Sequence, residues 1–200
     1  MSLFSSKLQT PKHTVALSGL VIGLLFAFSS VEANEAHDPA LRELLKAAIS
    51  ESDSFTDRFD AEVWLLDMST RLQTSIPATK QRLHFLRAVH YEAKRAELHP
   101  ELVLAVIDVE SDFNRYAISR AGAMGLMQVM PFWLKEIGRP GDNLFDMRTN
   151  LRMGCTILKY YLEKEKGNLS RALARYNGSL GSFKYIRKVF HALDNKWGYR

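Results

Sequence analysis

Several kinds of chemistry are missing from this sequence, and each absence narrows what the chain can be. Its 200 residues hold one cysteine, Cys155, so there is no internal disulfide framework and no cysteine-based zinc site. Composition is ordinary for a globular protein, with 46% hydrophobic and 24% charged residues, which excludes a disordered or collagenous chain. The apolar run from Val15 to Phe28 is fourteen residues long, short of the ~20 needed to span a bilayer. No cysteine follows it closely, so it does not read as a lipoprotein leader. Histidines 37, 84, 90, 99 and 191 include no pair at i, i+4 and no His-Glu-x-x-His, so no metal site is expected. There is no Gly-x-Ser-x-Gly elbow, and Gly122-Ala-Met-Gly125 lacks the Lys-Ser/Thr ending of a phosphate loop. No stretch alternates at period two, and no repeat is present.

The first residues point to a compartment. Lys7 and Lys12 precede the apolar run, and Val31 and Ala33 stand at the −3 and −1 positions of a cleavage site. Residues 1–33 therefore read as a cleavable secretory signal, with an uncleaved inner-membrane anchor as the alternative. Either reading puts the rest of the chain outside the cytoplasm, and cleavage puts it in the periplasm. The formal charge is +5. Removing Lys7, Lys12 and Glu32 with the signal leaves +4. An exported basic protein meets an anionic wall polymer or a membrane surface rather than nucleic acid.

The remainder reads as helices, so the expected class is all-α. Asp38-Pro39 is a helix start, followed by Leu41, Leu44, Leu45 and Ala48 at helical spacing. A second helix is expected from Asp60 to Leu72, with Phe59, Val63 and Leu66 as its apolar stripe, widened by Trp64 and Met68. Ser75-Ile76-Pro77 ends this part, so residues 34–77 read as a helical N-terminal extension to a domain covering 78–200. Further helices are expected over Thr79–Glu97, Pro100–Ser111, Ala123–Ile137, Arg148–Lys166, Asn168–Tyr176 and Phe183–Leu193.

Glu110 is the residue that stands out chemically. It closes the apolar helix Leu102-Val103-Leu104-Ala105-Val106-Ile107 and falls near the face of Val103, Val106 and Ile107. Burial and the negative end of the helix dipole both raise a carboxyl pKa, which suits a general acid near neutral pH. A half-exposed helix-end glutamate is the alternative. Asp108 and Asp112 lie about 200° around the helix, so neither pairs with Glu110 as a second carboxylate. The following segment, Ala121 to Pro131, is punctuated by Gly122 and Gly125 and carries Met124, Met127, Gln128 and Met130. It offers a close backbone approach, an amide donor and acceptor, and an adaptable lining, or else the core packing of a methionine-rich helix.

In order, Glu110-Ser111-x-Phe113-Asn114, Ser119, Gly122-Ala123-x-Gly125-Leu126-Met127-Gln128-Val129-Met130-Pro131, Asn150-Leu151-Arg152-x-Gly154 and Tyr176-Asn177-Gly178 resemble the soluble-lytic-transglycosylase (SLT) domain of the goose-type-lysozyme-like superfamily. The similarity runs from about Leu83 to Leu193. It implies a lysozyme-like helical domain that cleaves the β-1,4 bond between N-acetylmuramic acid and N-acetylglucosamine in peptidoglycan, leaving a 1,6-anhydromuramoyl end. It implies Glu110 as the single acid and base. It implies Ser119 and Gln128 as hydrogen-bonding groups to the substrate, and Met127 and Met130 as groove lining. It implies that the Tyr176 hydroxyl approaches Glu110 and that Asn177 fixes the turn. No cofactor is implied, and the partner is the glycan strand. A muramidase that uses water and a wall-binding assembly module are the alternatives. Three positions depart from the family pattern: Arg115 stands in place of proline, Arg175 in place of alanine, and Ser179 in place of alanine or glycine. Residues 34–77 have no counterpart in the family core, and are expected to pack on the domain or to contact a protein of the envelope machinery. The chain is expected to be monomeric.

Overall fold

The computed structural model describes residues 39–50 and 54–198, so the expected signal peptide lies outside the described residues. Eight α-helices and a closing π-turn follow one another, and no strand forms among the described residues. They are α1 (Pro39–Ser50), α2 (Arg58–Arg71), α3 (Thr79–Arg95), α4 (Pro100–Ser111), α5 (Trp133–Ile137), α6 (Met147–Lys164), α7 (Leu169–Tyr176) and α8 (Lys184–Ala192), then a π-turn over Leu193–Trp197.

The central helix is α4. Proline at its first position starts it, and Leu102 through Ile107 are all buried, so it is apolar around its whole circumference. α3, α8 and the π-turn pack around it, and α6 lies against α3 and α7. α4 stops where Asp112 and Phe113 adopt left-handed conformations, with φ of 49° and 62°.

α2 begins at Asp57, whose carboxylate accepts from the backbone N–H groups of Phe59 and Asp60. Its inward face differs from the expected stripe. Ala61, Trp64, Leu65, Met68 and Leu72 are buried, whereas Phe59 is 73% exposed and Val63 is also exposed. Two apolar faces overlap on this helix, and the bulkier one goes inward because it buries more surface. Trp64 can be buried because its indole N–H donates to Glu101 at 2.7 Å. His90 of α3 stacks on Phe55 with ring centroids 3.7 Å apart. Burial, with Lys94 nearby, lowers its pKa to about 4.

The second difference is the expected helix over Ala123–Ile137. Only Trp133–Ile137 is helical. Before it the chain is an irregular loop with isolated antiparallel bridges, Ile118 to Met124 and Met124 to Val129. Gly122, Gly125 and Gln128 have φ of 86°, 78° and 48°, and left-handed residues cannot propagate a right-handed helix.

The C-terminus ties the assembly together. Trp197 is buried and donates its indole N–H to Asp108 at 2.9 Å, while the Arg71 guanidinium of α2 donates to the carbonyls of Lys196 and Gly198. Leu45 of α1 and Leu65 and Met68 of α2 belong to the same apolar cluster as α4 and α6, so α1 and α2 share the core of the helices that follow.

Candidate active site

Glu110 is the penultimate residue of α4, on its C-terminal turn. Its carboxyl is largely withdrawn from water, and burial raises its pKa. Two donors moderate the rise, the Tyr185 hydroxyl and the Asn177 side-chain amide. The Asn177 Nδ2 lies 3.5 Å from Glu110 Oε1, a long contact. The Tyr185 hydroxyl is buried beside the same carboxyl and closes no well-formed hydrogen bond. Burial and the negative charge of Glu110 raise the Tyr185 pKa far above the ordinary phenol value, so it stays protonated and able to donate. Among the described residues, no carboxylate acts on Glu110. Asp108 faces away, engaged by Trp197 and Lys196, and Asp112 is an exposed cap.

The loop after α4 is held from α6. Asn150 is 1% exposed, and its side chain makes three hydrogen bonds to the main chain. Its Oδ1 accepts from Met127 N at 2.8 Å, and its Nδ2 donates to Met124 O at 2.9 Å and Leu144 O at 2.8 Å. Gly125 makes room for this side chain, since a Cβ there would collide with Asn150 Nδ2 and Leu144 O. Ser111 adds a link by donating its hydroxyl to Leu126 O at 2.7 Å.

The residues expected from sequence take different places. Asn177 reaches Glu110. The Tyr176 hydroxyl lies near enough to feel the Glu110 charge but donates to Met127 O at 2.6 Å, and a second phenol, Tyr185, stands beside the carboxyl. Met127 has no exposed surface, so its side chain cannot line an open groove; it packs against Gly154 and Cys155. Met130 is partly exposed. The Ser119 hydroxyl accepts from Ala123 N at 3.0 Å and closes the turn around Gly122. Gln128 donates its side-chain amide to Gly125 O and Ala117 O, at 2.9 and 3.2 Å. Its side-chain oxygen accepts no hydrogen bond among the described residues. Arg175 is occupied, sharing the buried Glu165 carboxylate with Arg171.

Sequence reasoning missed Tyr185 and the stapling role of Asn150. The only local sign of Tyr185 was its place next to Ile186 on the inward face of the last helix. Among the described residues, no three His, Cys, Asp or Glu side chains converge to hold a metal ion, and no helix is long and apolar enough to cross a membrane.

The arrangement is a protonatable carboxyl at the end of a buried helix, flanked by two donors and by a glycine-shaped loop. Comparison with known proteins adds context. The sequence profile of the transglycosylase SLT domain matches residues 87–197, just over half of the chain. Membrane-bound lytic murein transglycosylase C of Yersinia pestis (strain Pestoides F) is 35% identical over a 133-residue alignment, with coverage of 58% of this chain and 36% of that protein. The protein of that name from Yersinia pseudotuberculosis (serotype O:1b) matches to the same extent. The chain thus spans about a third of the length of these curated relatives. Among solved structures, the 70 kDa soluble lytic transglycosylase of Escherichia coli aligns over 78% of this chain and 28% of its own, at 22% identity and a TM-score of 0.43. An inactive mutant of lytic transglycosylase Slt from Pseudomonas aeruginosa aligns over 71% of this chain and 26% of its own, at 26% identity and a TM-score of 0.44.

Proposed function

The chain belongs to the transglycosylase SLT domain family, and on that premise we propose that it is an exported lytic transglycosylase that cleaves peptidoglycan between N-acetylmuramic acid and N-acetylglucosamine. The observation that carries the reading is Glu110: a carboxyl of raised pKa at the half-buried end of a buried helix, beside two neutral donors and with no carboxylate acting on it among the described residues. A hydrolase that holds a water for attack ordinarily uses a second carboxylate for the purpose. A single carboxyl suffices when the nucleophile belongs to the substrate.

In the proposed reaction, protonated Glu110 gives its proton to the glycosidic oxygen. The bond from that oxygen to C1 of the muramoyl residue breaks as an oxocarbenium-like state develops. The N-acetylglucosamine unit leaves with the new hydroxyl. The Glu110 carboxylate then takes the proton of the muramoyl C6 hydroxyl, whose oxygen bonds to C1, forming the 1,6-anhydro ring and restoring protonated Glu110. Attack within one sugar replaces an encounter with water, so proximity supplies part of the acceleration. Tyr185 and Asn177 stabilise the carboxylate between the two proton transfers. Gln128 and Ser119 serve as hydrogen-bonding groups on the loop facing the sugar, and Met130 as lining. Residues 1–33 act as the signal in this reading, and N-terminal sequencing of the envelope-derived protein is expected to begin at Asn34.

The test is product analysis. The full chain is incubated with purified sacculi, and the released material is read by mass spectrometry against a Glu110→Gln control. Anhydromuramoyl ends that disappear in the variant are expected. Reducing ends would make the protein a muramidase. Binding to sacculi without product would make it a wall-binding module.

A further inference from the structure

The exposed apolar residues are not scattered evenly. Nine large hydrophobic side chains are exposed among the described residues, and five of them, Tyr116, Ile118, Phe132, Leu180 and Phe183, lie on the two loops that carry Ser119, Gln128 and Asn177. Clustered exposed apolar groups mark a binding surface.

Tyr116 is the best supported of the five. Its ring is 64% exposed, yet its position is held on several sides. Its backbone N–H donates to Asn114 Oδ1 at 2.9 Å. The next carbonyl, Ala117 O, accepts from Gly125 N at 2.9 Å and from the Gln128 side chain at 3.2 Å. The Arg115 guanidinium sits 4.9 Å from the ring centroid, and Phe145 packs at 6.1 Å. A rigid exposed ring offers a flat apolar face at little loss of conformational freedom.

Arg115 stands where the resembled family has proline. One of its nitrogens donates to Phe145 O at 3.0 Å. A guanidinium has five donors, and Arg115 makes no ion pair among the described residues. It also lines a cavity of about 870 Å³ between α1, α3 and the start of α6. Lys80 and Arg148 share that lining, Asp146 is its only acid among the described residues, and Phe113 and Leu126 supply apolar floor. The Asp146 carboxylate is engaged in capping α6 through Thr149 N. The cavity is therefore cationic and partly apolar, and its size suits a short peptide.

Resting on the reading of the chain as a peptidoglycan-cleaving enzyme, we propose that Arg115 and Tyr116 form a subsite for a glycan unit bearing an acidic stem peptide. Tyr116 stacks on the sugar ring, and Arg115 pairs with a carboxylate of the peptide, which runs toward the cavity. A planar guanidinium is the group best matched to a carboxylate, and it binds in bidentate fashion.

The test is a binding measurement that does not need turnover. The full chain carrying Glu110→Gln is titrated calorimetrically with two soluble glycan oligomers of equal length, one bearing stem peptides and one stripped of them by an amidase. The stem-bearing oligomer is expected to bind about tenfold more tightly, the size of one charge-assisted contact. Adding Arg115→Gln is expected to bring it down to the level of the stripped oligomer. Adding Tyr116→Ala is expected to weaken both, and Tyr116→Phe to restore both. Melting curves show that each variant is folded. Equal affinity for the two oligomers, or a preference that survives Arg115→Gln, overturns the proposal, as does Tyr116→Ala leaving both affinities unchanged. Wild-type turnover of sacculi is scored separately. A preference without turnover sinks the catalytic reading alone, and turnover without a preference sinks this one alone.

Discussion

In the proposed reaction Glu110 trades stability for reactivity, and the sign of the exchange is testable. Its folded pKa lies above the ordinary value of 4.5, chiefly because of burial. Across the window between those two values the folded chain binds more protons than the unfolded one, so stability falls as pH rises through it. Glu110→Gln removes that loss. We expect the variant to melt higher than wild type at neutral pH, with the two converging below pH of about 4, while turnover drops by about 10²–10⁴-fold. Wild-type turnover is expected to fall as pH rises through the Glu110 pKa, because the acid must start protonated. Tyr185 acts on the same equilibrium. Its hydroxyl lowers the Glu110 pKa, so Tyr185→Phe is expected to move the alkaline limb of the pH–rate profile upward and to slow turnover about tenfold. An unmoved limb would show that the hydroxyl does not reach the carboxyl in solution.

At the scale of elements, the loop between α4 and α6 is where sequence pattern and structure part. It carries Ser119 and Gln128, and its shape depends on one buried amide of α6. Asn150→Ala would strand Met127 N and Leu144 O without partners and leave Met124 O with Val129 N alone. A loss of about 2–4 kcal/mol in urea denaturation is expected, with turnover falling more steeply than the change in folded fraction. Gly125→Ala should disturb the same joint from the other side, because its φ of 78° and the collision with Asn150 both oppose a side chain. A cost of about 2 kcal/mol or more follows. α2 teaches a related lesson. Its outward Phe59 and Val63 and its inward Leu65 and Met68 have equal claims in a hydrophobicity pattern, and the neighbours α3 and the π-turn decide between them.

At the scale of the whole molecule, α1 and α2 behave as part of one core. Leu65 and Met68 are fully buried, and Arg71 holds the C-terminal turn that Trp197 anchors to α4. Met68→Ala is therefore expected to cost about 2–5 kcal/mol and to shift a single unfolding transition, with far-UV circular dichroism and tryptophan fluorescence coinciding. Two separated transitions would show that α1 and α2 form an independent unit. Cys155, fully buried with its thiol pKa raised by burial, takes no part in such chemistry and packs as a small apolar residue against Met127.

Much of this was legible along the chain. The all-α class, the limits of α4 at Pro100 and Ser111, and Glu110 as an acid misplaced on an apolar helix all follow from local periodicity and capping, which depend on residues within a few positions of one another. The Asn177 contact to Glu110 spans 67 residues, and the Tyr176 bond to Met127 spans 49. Periodicity carries no information at that range, so the second phenol at the carboxyl, Tyr185, went unseen. Left-handed φ values likewise replaced an apparent methionine helix with a loop, since an apolar spacing of three and four does not reveal where backbone sterics and a buried asparagine bend the chain. The sequence by itself determined that a carboxyl, Glu110, closes an apolar helix and that helices would surround it. Only tertiary structure decided which donors face that carboxyl, which face of α2 is inside, and that Tyr116 is exposed while Arg115 lines a cationic cavity, because those choices are made by contacts between elements far apart in the chain.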